Sequence, residues 1–470
     1  MGNFETVGTE LDEIISNLDY STTYIHECSH WVRYHGTTVG ACLSLMKYAQ
    51  QRTLLRLRNV SDREKSKIFT GQRRPLFSFD TEGTGSEEFR LTRQFWLDMQ
   101  IGHKILLDSK VQDDVPWDRD DAMRSALTDS FIFSPLVHDP SSPVISPARS
   151  AETAVDWSDS VAFVQAKRHR VTTKSLFECA ATIDQFLAMP WAFHSIAPEY
   201  LYKSLENLMA KFREPSYGIP AQVYAEIVPG FKGVTLRSHL CTLLAIIDFS
   251  LNPPLPPVVD STELIRAARW RDIYPPMRFA RACHVIGEIG PLGENASEAE
   301  LSDFLDALAA KLGVPSPSLY TSAFTRADGS QYFLSDSMHS EDYMIFLGDV
   351  QRKLWNLRRS SPSSIALYGA VSGGSRTSVS QLELLLGEDS KWFHPPFHWT
   401  HDDHFKCDAR VDVKASDQYI KSVATFLTLN HVAAVGPEPK RHAIPGVSPA
   451  GLWAAVSNSV NELLAFDVLP

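Results

Sequence analysis

At 470 residues, with 44% hydrophobic and 21% charged side chains, the chain holds enough apolar material for a sizeable core and falls outside the disordered and fibrous classes. A formal net charge of -11 removes the overall positive field that would gather nucleic acid or anionic lipid, so no nucleic-acid partner is expected. There is no basic leader followed by an apolar stretch and no run of about 18 apolar residues, and the six scattered cysteines form no CxxC pair, so a cytoplasmic protein without a membrane span is expected.

Taken in chain order, Thr9 or Glu10 starts a first helix through Tyr20, and Ser21, Thr22 and Thr23 supply N-cap candidates for a second over Ile25 to Tyr34. His35-Gly36 closes it. Thr37 or Thr38 caps a third helix, in which Val39, Cys42, Leu43 and Met46 recur at helical spacing. A polar stretch with a short strand candidate at Leu76 to Phe79 leads to a helix over Glu87 to Leu107, and the Pro/Ser-rich residues 135 to 149 read as a surface loop. Further helices are predicted over Lys174 to Ala188, Pro198 to Lys211, Arg237 to Phe249, Glu263 to Ala268, Glu298 to Leu312, Glu341 to Arg359 and Ser448 to Leu464. The proline-rich turn at 251 to 257 marks a boundary between a helical metal-site domain (1-250) and a mainly helical C-terminal region (258-470) that closes over the site. The fold class expected is mainly α: a large helical body with few short strands.

The chemistry concentrates in TTYIHECSHWVRYHG. His26 and His30 stand four residues apart, so on a helix they project from nearly one face and can grip one cation through their imidazoles. Glu27 is rotated about 100° from His26, close enough to take a proton from water beside the ion without being a ligand. Gly and His are missing three and six residues past His30, where Arg33 and Gly36 stand, which excludes the metzincin pattern. His35 is off by one and points away. Cys28 lies about 200° around from His26 and reads as buried filler.

A third ligand is sought in VTTKSLFECAATIDQF, where Glu178 sits among Leu176, Phe177, Cys179 and Ala180, with Ala181 small enough to let two helices approach. HECSH with Glu178 resembles the gluzincin branch of zincin metallopeptidases, over residues 21 to 40 and 174 to 188. The resemblance implies a Zn²⁺ cofactor held by His26, His30 and Glu178, an HExxH helix packed on the glutamate-bearing helix, Glu27 as general base, Asp184 orienting a histidine as an outer acceptor, and a protein or peptide substrate. The separation of 148 residues between His30 and Glu178 is long for that branch. Only 25 residues precede His26, too few for the sheet that aligns an extended peptide in such enzymes, so the strands come from later in the chain or the substrate is not an extended peptide.

A second cluster, KWFHPPFHWTHDDHFKCDAR, crowds His394, His398, His401 and His404 with Asp402, Asp403 and Cys407 into fourteen positions. Three readings stand: a histidine that steadies the oxyanion at the main site, with His398 or His401 first in line; a second metal; or a packed loop with ordinary polar histidines. The third ligand at the main site is then Glu178 or a histidine of 394-404. The sequence thus points to a zinc-dependent hydrolase cleaving a peptide bond, with a histidine or tyrosine from elsewhere steadying the developing charge. The alternative is a non-catalytic helical interaction or regulatory protein, with a protein partner, that keeps a structural zincin-like metal site.

Overall fold

The computed structural model describes residues 11–55, 86–108, 161–192, 198–228, 230–255, 270–319, 341–372, 399–401 and 404–406. The fold is mainly α. The sequence-predicted strand at 76–79, the loop at 135–149 and the helices over 263–268 and 448–464 lie outside the described residues.

Helix α1, Leu11–Gly36, is continuous, where the sequence suggested a break at Ser21 to Thr23. No Gly or Pro interrupts residues 11 to 35. Ser and Thr each cost a helix only a few tenths of a kcal/mol, roughly, less than nucleating a second helix would, and Thr22 is buried. The break comes instead at Thr37. Its hydroxyl donates to the Arg33 carbonyl at 2.7 Å and accepts from the Gly40 amide at 3.2 Å, serving the end of α1 and the start of α2, Thr38–Leu55. Thr38 anchors the start of α2 to the proline-rich turn, its hydroxyl donating to the Pro253 carbonyl at 2.6 Å and its amide to Asn252 Oδ1 at 3.1 Å.

Helix α3 (Glu87–Asp108) packs on α2. Helix α4 (Val161–His169) precedes α5 (Thr173–Ala192), whose described side chains from Ser175 to Met189 are buried almost without interruption. A helix buried on all sides belongs in the centre of a body, and α5 packs against α1 and against α7 (Pro215–Ile227), with α6 (Pro198–Lys211) beside it. Helix α8 (Leu236–Leu251) is likewise buried from Cys241 onward and is capped by Thr235, whose hydroxyl accepts from the Ser238 amide at 3.1 Å. The short α9 (Trp270–Ile273) leads into α10 (Pro275–Ile289). Helix α11 (Glu298–Leu312) opens with the Ser297/Glu300 capping box and stops at Gly313, whose φ of 63° suits a residue without Cβ. Helix α12 (Glu341–Ser360) and the short α13 (Ser363–Ala366) and α14 (Tyr368–Ser372) return to pack on α1, α8 and α5. Strands β1 (Trp399–His401) and β2 (His404–Lys406) form an antiparallel pair with His401 opposite His404.

Helices α7 and α10 were not among the predicted elements, although each begins with proline, as the predicted helix from Pro198 does. Pro215 and Pro275 occupy the first helical turn, where the missing amide would have had no partner.

One apolar core runs from Val39 of α2 to Leu367 before α14. Within it, four buried arginines cap the ends of other helices. Arg33 donates to the Ala366 carbonyl (3.1 Å), Arg278 to Phe249 (3.1 Å), Arg281 to Leu312 (2.8 Å) and Arg358 to Gly36 (2.6 Å). Each puts a permanent cation at the negative end of a helix dipole. Arg358 also grips Asp248 through two bonds of 2.8 and 2.7 Å, which clamps the C-terminal end of α1 between α8 and α12. No described helix is long and apolar enough to cross a membrane.

Candidate metal centre

His26, Glu27 and His30 lie midway along α1, flanked by the buried apolar positions Ile25, Cys28 and Trp31 that hold this stretch against the body. Glu178 sits in the second turn of α5, beside the fully buried Cys179, Ala180 and Ala181. The packing of α1 on α5 brings three donor atoms into one small triangle. His30 Nε2 is 3.1 Å from His26 Nε2 and 3.1 Å from Glu178 Oε2, and His26 Nε2 is 3.4 Å from the same oxygen.

Those edges test whether the residues fit an ion. Bonds of about 2.0 to 2.1 Å arranged tetrahedrally separate neighbouring donor atoms by about 3.3 Å, and all three edges lie close to that value. The two imidazoles meet edge to face, with ring centroids 4.7 Å apart and planes at 77°. Relative side-chain exposures of 12% for His26, 26% for His30 and 19% for Glu178 leave the triangle open to a small ion from one side. The group is a possible metal site, and its two nitrogens and one carboxylate oxygen suit zinc or another first-row transition ion better than Mg²⁺ or Ca²⁺.

Electrostatics agree with a carboxylate poised as a ligand. Partial burial works to raise the Glu178 carboxyl. The hydrogen bonds and charge of His26 and His30 outweigh it and hold the group below the ordinary carboxylate range. Glu27, one residue past His26, is partly exposed.

Across from the triangle stands a residue that the sequence did not single out. Tyr217, in the first turn of α7, places its ring centroid 6.0 Å from that of His26. Its phenol is pushed above the usual tyrosine value by desolvation, then by the charges of Glu178, Glu214 and Glu27. It therefore keeps its proton and stays a donor. Glu-Pro-Ser-Tyr-Gly-Ile-Pro carries no spacing that ties it to the HExxH helix.

Among the described residues, Asp184 orients no histidine. Its carboxylate is fully buried and accepts from the Arg33 guanidinium, from the Ser29 hydroxyl at 2.6 Å and from the Gly369 amide at 2.8 Å. The correction has a simple cause: Arg33 lies on α1 with no exposure of its own, and a buried guanidinium is a stronger partner for a carboxylate than an imidazole.

His35, as expected, faces away from the site. It is buried against Trp31 (4.3 Å between ring centroids) and Tyr34 (5.3 Å), and its pKa is pushed down to about 3 by desolvation and then by the nearby Lys47 charge. Cys28 is buried filler, and burial pushes the Cys179 thiol up to about 12, so Cys179 supplies no thiolate at neutral pH. Of the distal histidines, His401 and His404 are paired positions of β1 and β2, while His394 and His398 lie outside the described residues. No protein family, no curated protein and no solved structure matches the chain.

Proposed function

We propose that this protein is a zinc-dependent hydrolase of the metallopeptidase type, with His26, His30 and Glu178 as the zinc ligands and Glu27 as the general base. One observation carries the reading: three donor atoms within 3.1 to 3.4 Å of one another, with the Glu27 carboxylate on the adjoining residue. Bound zinc would polarise a carbonyl and make water acidic enough to attack at neutral pH. Glu27 accepts a proton from the attacking water and returns it to the leaving nitrogen of a protein or peptide substrate. Tyr217, held protonated beside His26, donates to the oxygen on which negative charge develops.

The partial exposure of the three ligands favours this reading over a purely structural metal site. Structural zinc is enclosed by four protein ligands, whereas a hydrolytic site keeps three and leaves room for solvent. In this reading Glu178 is the third ligand.

The test compares wild type, Glu27→Gln and Tyr217→Phe by metal analysis and by cleavage of a mixed peptide library. Glu27→Gln is expected to keep one zinc per chain and to lose about 10²- to 10⁴-fold in rate. Tyr217→Phe is expected to keep the zinc and to lose about 10²-fold in kcat, with KM nearly unchanged. Full turnover by a zinc-loaded Glu27→Gln variant would overturn the enzymatic reading.

A further inference from the structure

We infer that Asp184 is a positioning residue for the metal centre: by tying Ser29 and Arg33 of α1 to α5, it fixes the register in which Glu178 meets His26 and His30. The inference rests on the metal-site reading above and adds a role for residues that touch no ion.

The geometry is specific. Asp184 lies six residues past Glu178 on α5. On α1, Ser29 immediately precedes His30, and Arg33 follows it by three residues. The seam between the two helices is therefore bonded at two places: Glu178 with the histidines, and Asp184 with Ser29 and Arg33. One point of contact leaves a helix free to slide and turn against its neighbour. Two points, offset along both helices, remove both freedoms.

The second point is built as a closed network. The Ser29 hydroxyl donates to Asp184 Oδ2 at 2.6 Å and accepts from Arg33 Nη1 at 2.5 Å. Arg33 reaches the same carboxylate oxygen and sends Nη2 to the Ala366 carbonyl at 3.1 Å. The other oxygen, Oδ1, accepts from the Gly369 amide at 2.8 Å. Gly369 also lies so close that a Cβ there would run into the Asp184 backbone. Helices α13 and α14 thus form a backing that holds the carboxylate from behind.

A purely adhesive role would be served as well by apolar side chains, since an interior ion pair gains little over well-packed hydrophobic residues of similar volume. What the charged network adds is direction. Its hydrogen bonds fix angles and distances that apolar packing leaves looser, and a donor triangle with edges of 3.1 to 3.4 Å is sensitive to displacements of about 0.5 Å.

This separates two measurable quantities, stability and metal affinity. The full-length zinc-free protein is compared with Ser29→Ala and with the double variant Arg33→Met/Asp184→Leu. Each is followed by thermal melting, by zinc titration against a chromogenic chelator, and by the visible spectrum of the Co²⁺-loaded protein. The double variant is expected to melt within a few degrees of wild type, to bind zinc about 10- to 100-fold more weakly, and to show altered Co²⁺ absorption bands. Ser29→Ala keeps the ion pair and is expected to lose several-fold in zinc affinity with its melting temperature nearly unchanged. Zinc affinity within twofold of wild type and an unaltered Co²⁺ spectrum in Ser29→Ala would overturn the inference, whether or not the double variant folds. The same result in a folded double variant would overturn it as well. A wild-type protein that takes up no zinc would instead remove the metal-site reading, before any variant is compared.

Discussion

Glu178 and Asp184 are carboxylates of one helix, six residues apart, and both face partners on α1. Asp184 is fully buried, has a permanent guanidinium cation and uses both oxygens. Glu178 is 19% exposed and, among the described residues, its carboxylate is paired with imidazoles, whose charge depends on pH. The contrast separates two uses of the same chemical group. A carboxylate supplied with arginine is neutralised by the fold itself and belongs to the architecture. A carboxylate opposed by two histidines, with no permanent cation against it among the described residues, has donor atoms and an electrostatic need that a divalent ion can meet. Along one seam, the protein places a finished ion pair beside an open ligand set.

The largest expected effect breaks the open half. Removing any one corner of the triangle, by His26→Ala, His30→Ala or Glu178→Ala, is expected to lower zinc content from one per chain to nearly none after dialysis, as read by metal analysis. Two remaining donors do not make a zinc site. Retention of a full equivalent of zinc by Glu178→Ala would move the third ligand elsewhere.

The same two helices, probed for stability without zinc, should give the opposite ranking. Asp184→Ala leaves the Arg33 guanidinium buried without its counter-charge, a loss of about 3 to 5 kcal/mol. Glu178→Ala removes a partly exposed group and is expected to cost within about 1 kcal/mol. Urea unfolding of the zinc-free proteins measures both. Equal losses would dissolve the distinction between the two carboxylates. Gly369→Ala attacks the backing of Asp184 from the other side. The added methyl meets backbone, which cannot rotate away, so a loss of about 1 to 3 kcal/mol is expected in the same assay.

How much of this was legible in the sequence follows from whether each feature is local. The helix over Glu298 to Leu312 was readable at both ends because Ser297 and Gly313 are local signals, and the structure uses both, adding Glu300 as the second half of a capping box. His26, His30 and Glu27 were readable because helical spacing alone brings them together. The convergence of Glu178 with them followed from a motif resemblance, across 148 residues that no periodicity spans. Arg33, Ser29 and Gly369 gave no signal, since their partnership exists only once α14 has returned to lie against α5. Tyr217 was hidden for a different reason. Its helix starts with Pro215 and contains Pro220, and no spacing there ties it to the HExxH helix.

A smaller effect per unit of pH sharpens the comparison at the other end of α1. His35 lies five residues past His30, but it is 5% exposed and has the Lys47 charge near it rather than a carboxylate. His103, on α3, feels burial and then the same lysine, and its pKa is also held near 3, against the ordinary 6.5. Both are therefore neutral in the folded protein across the range where the unfolded chain takes up protons. Unfolding in that range is accompanied by proton binding, so stability must rise with pH between about 3 and 6.5, and it is fully present above 6.5. Each histidine contributes about 1.4 kcal/mol per pH unit to that slope. The clean window is pH 5 to 6.5, because Glu178, with its depressed folded value, adds a slope of the same sign only below the ordinary carboxylate value of 4.5. Urea midpoints of zinc-free wild type and His35→Gln, taken at pH 6.5, 6 and 5, are expected to show a slope that the substitution reduces by up to about 1.4 kcal/mol per pH unit. A slope left unchanged by His35→Gln over that window would mean that His35 can be protonated inside the fold, and the contrast between a sealed, neutral imidazole near the end of α1 and the partly exposed pair at its middle would be lost.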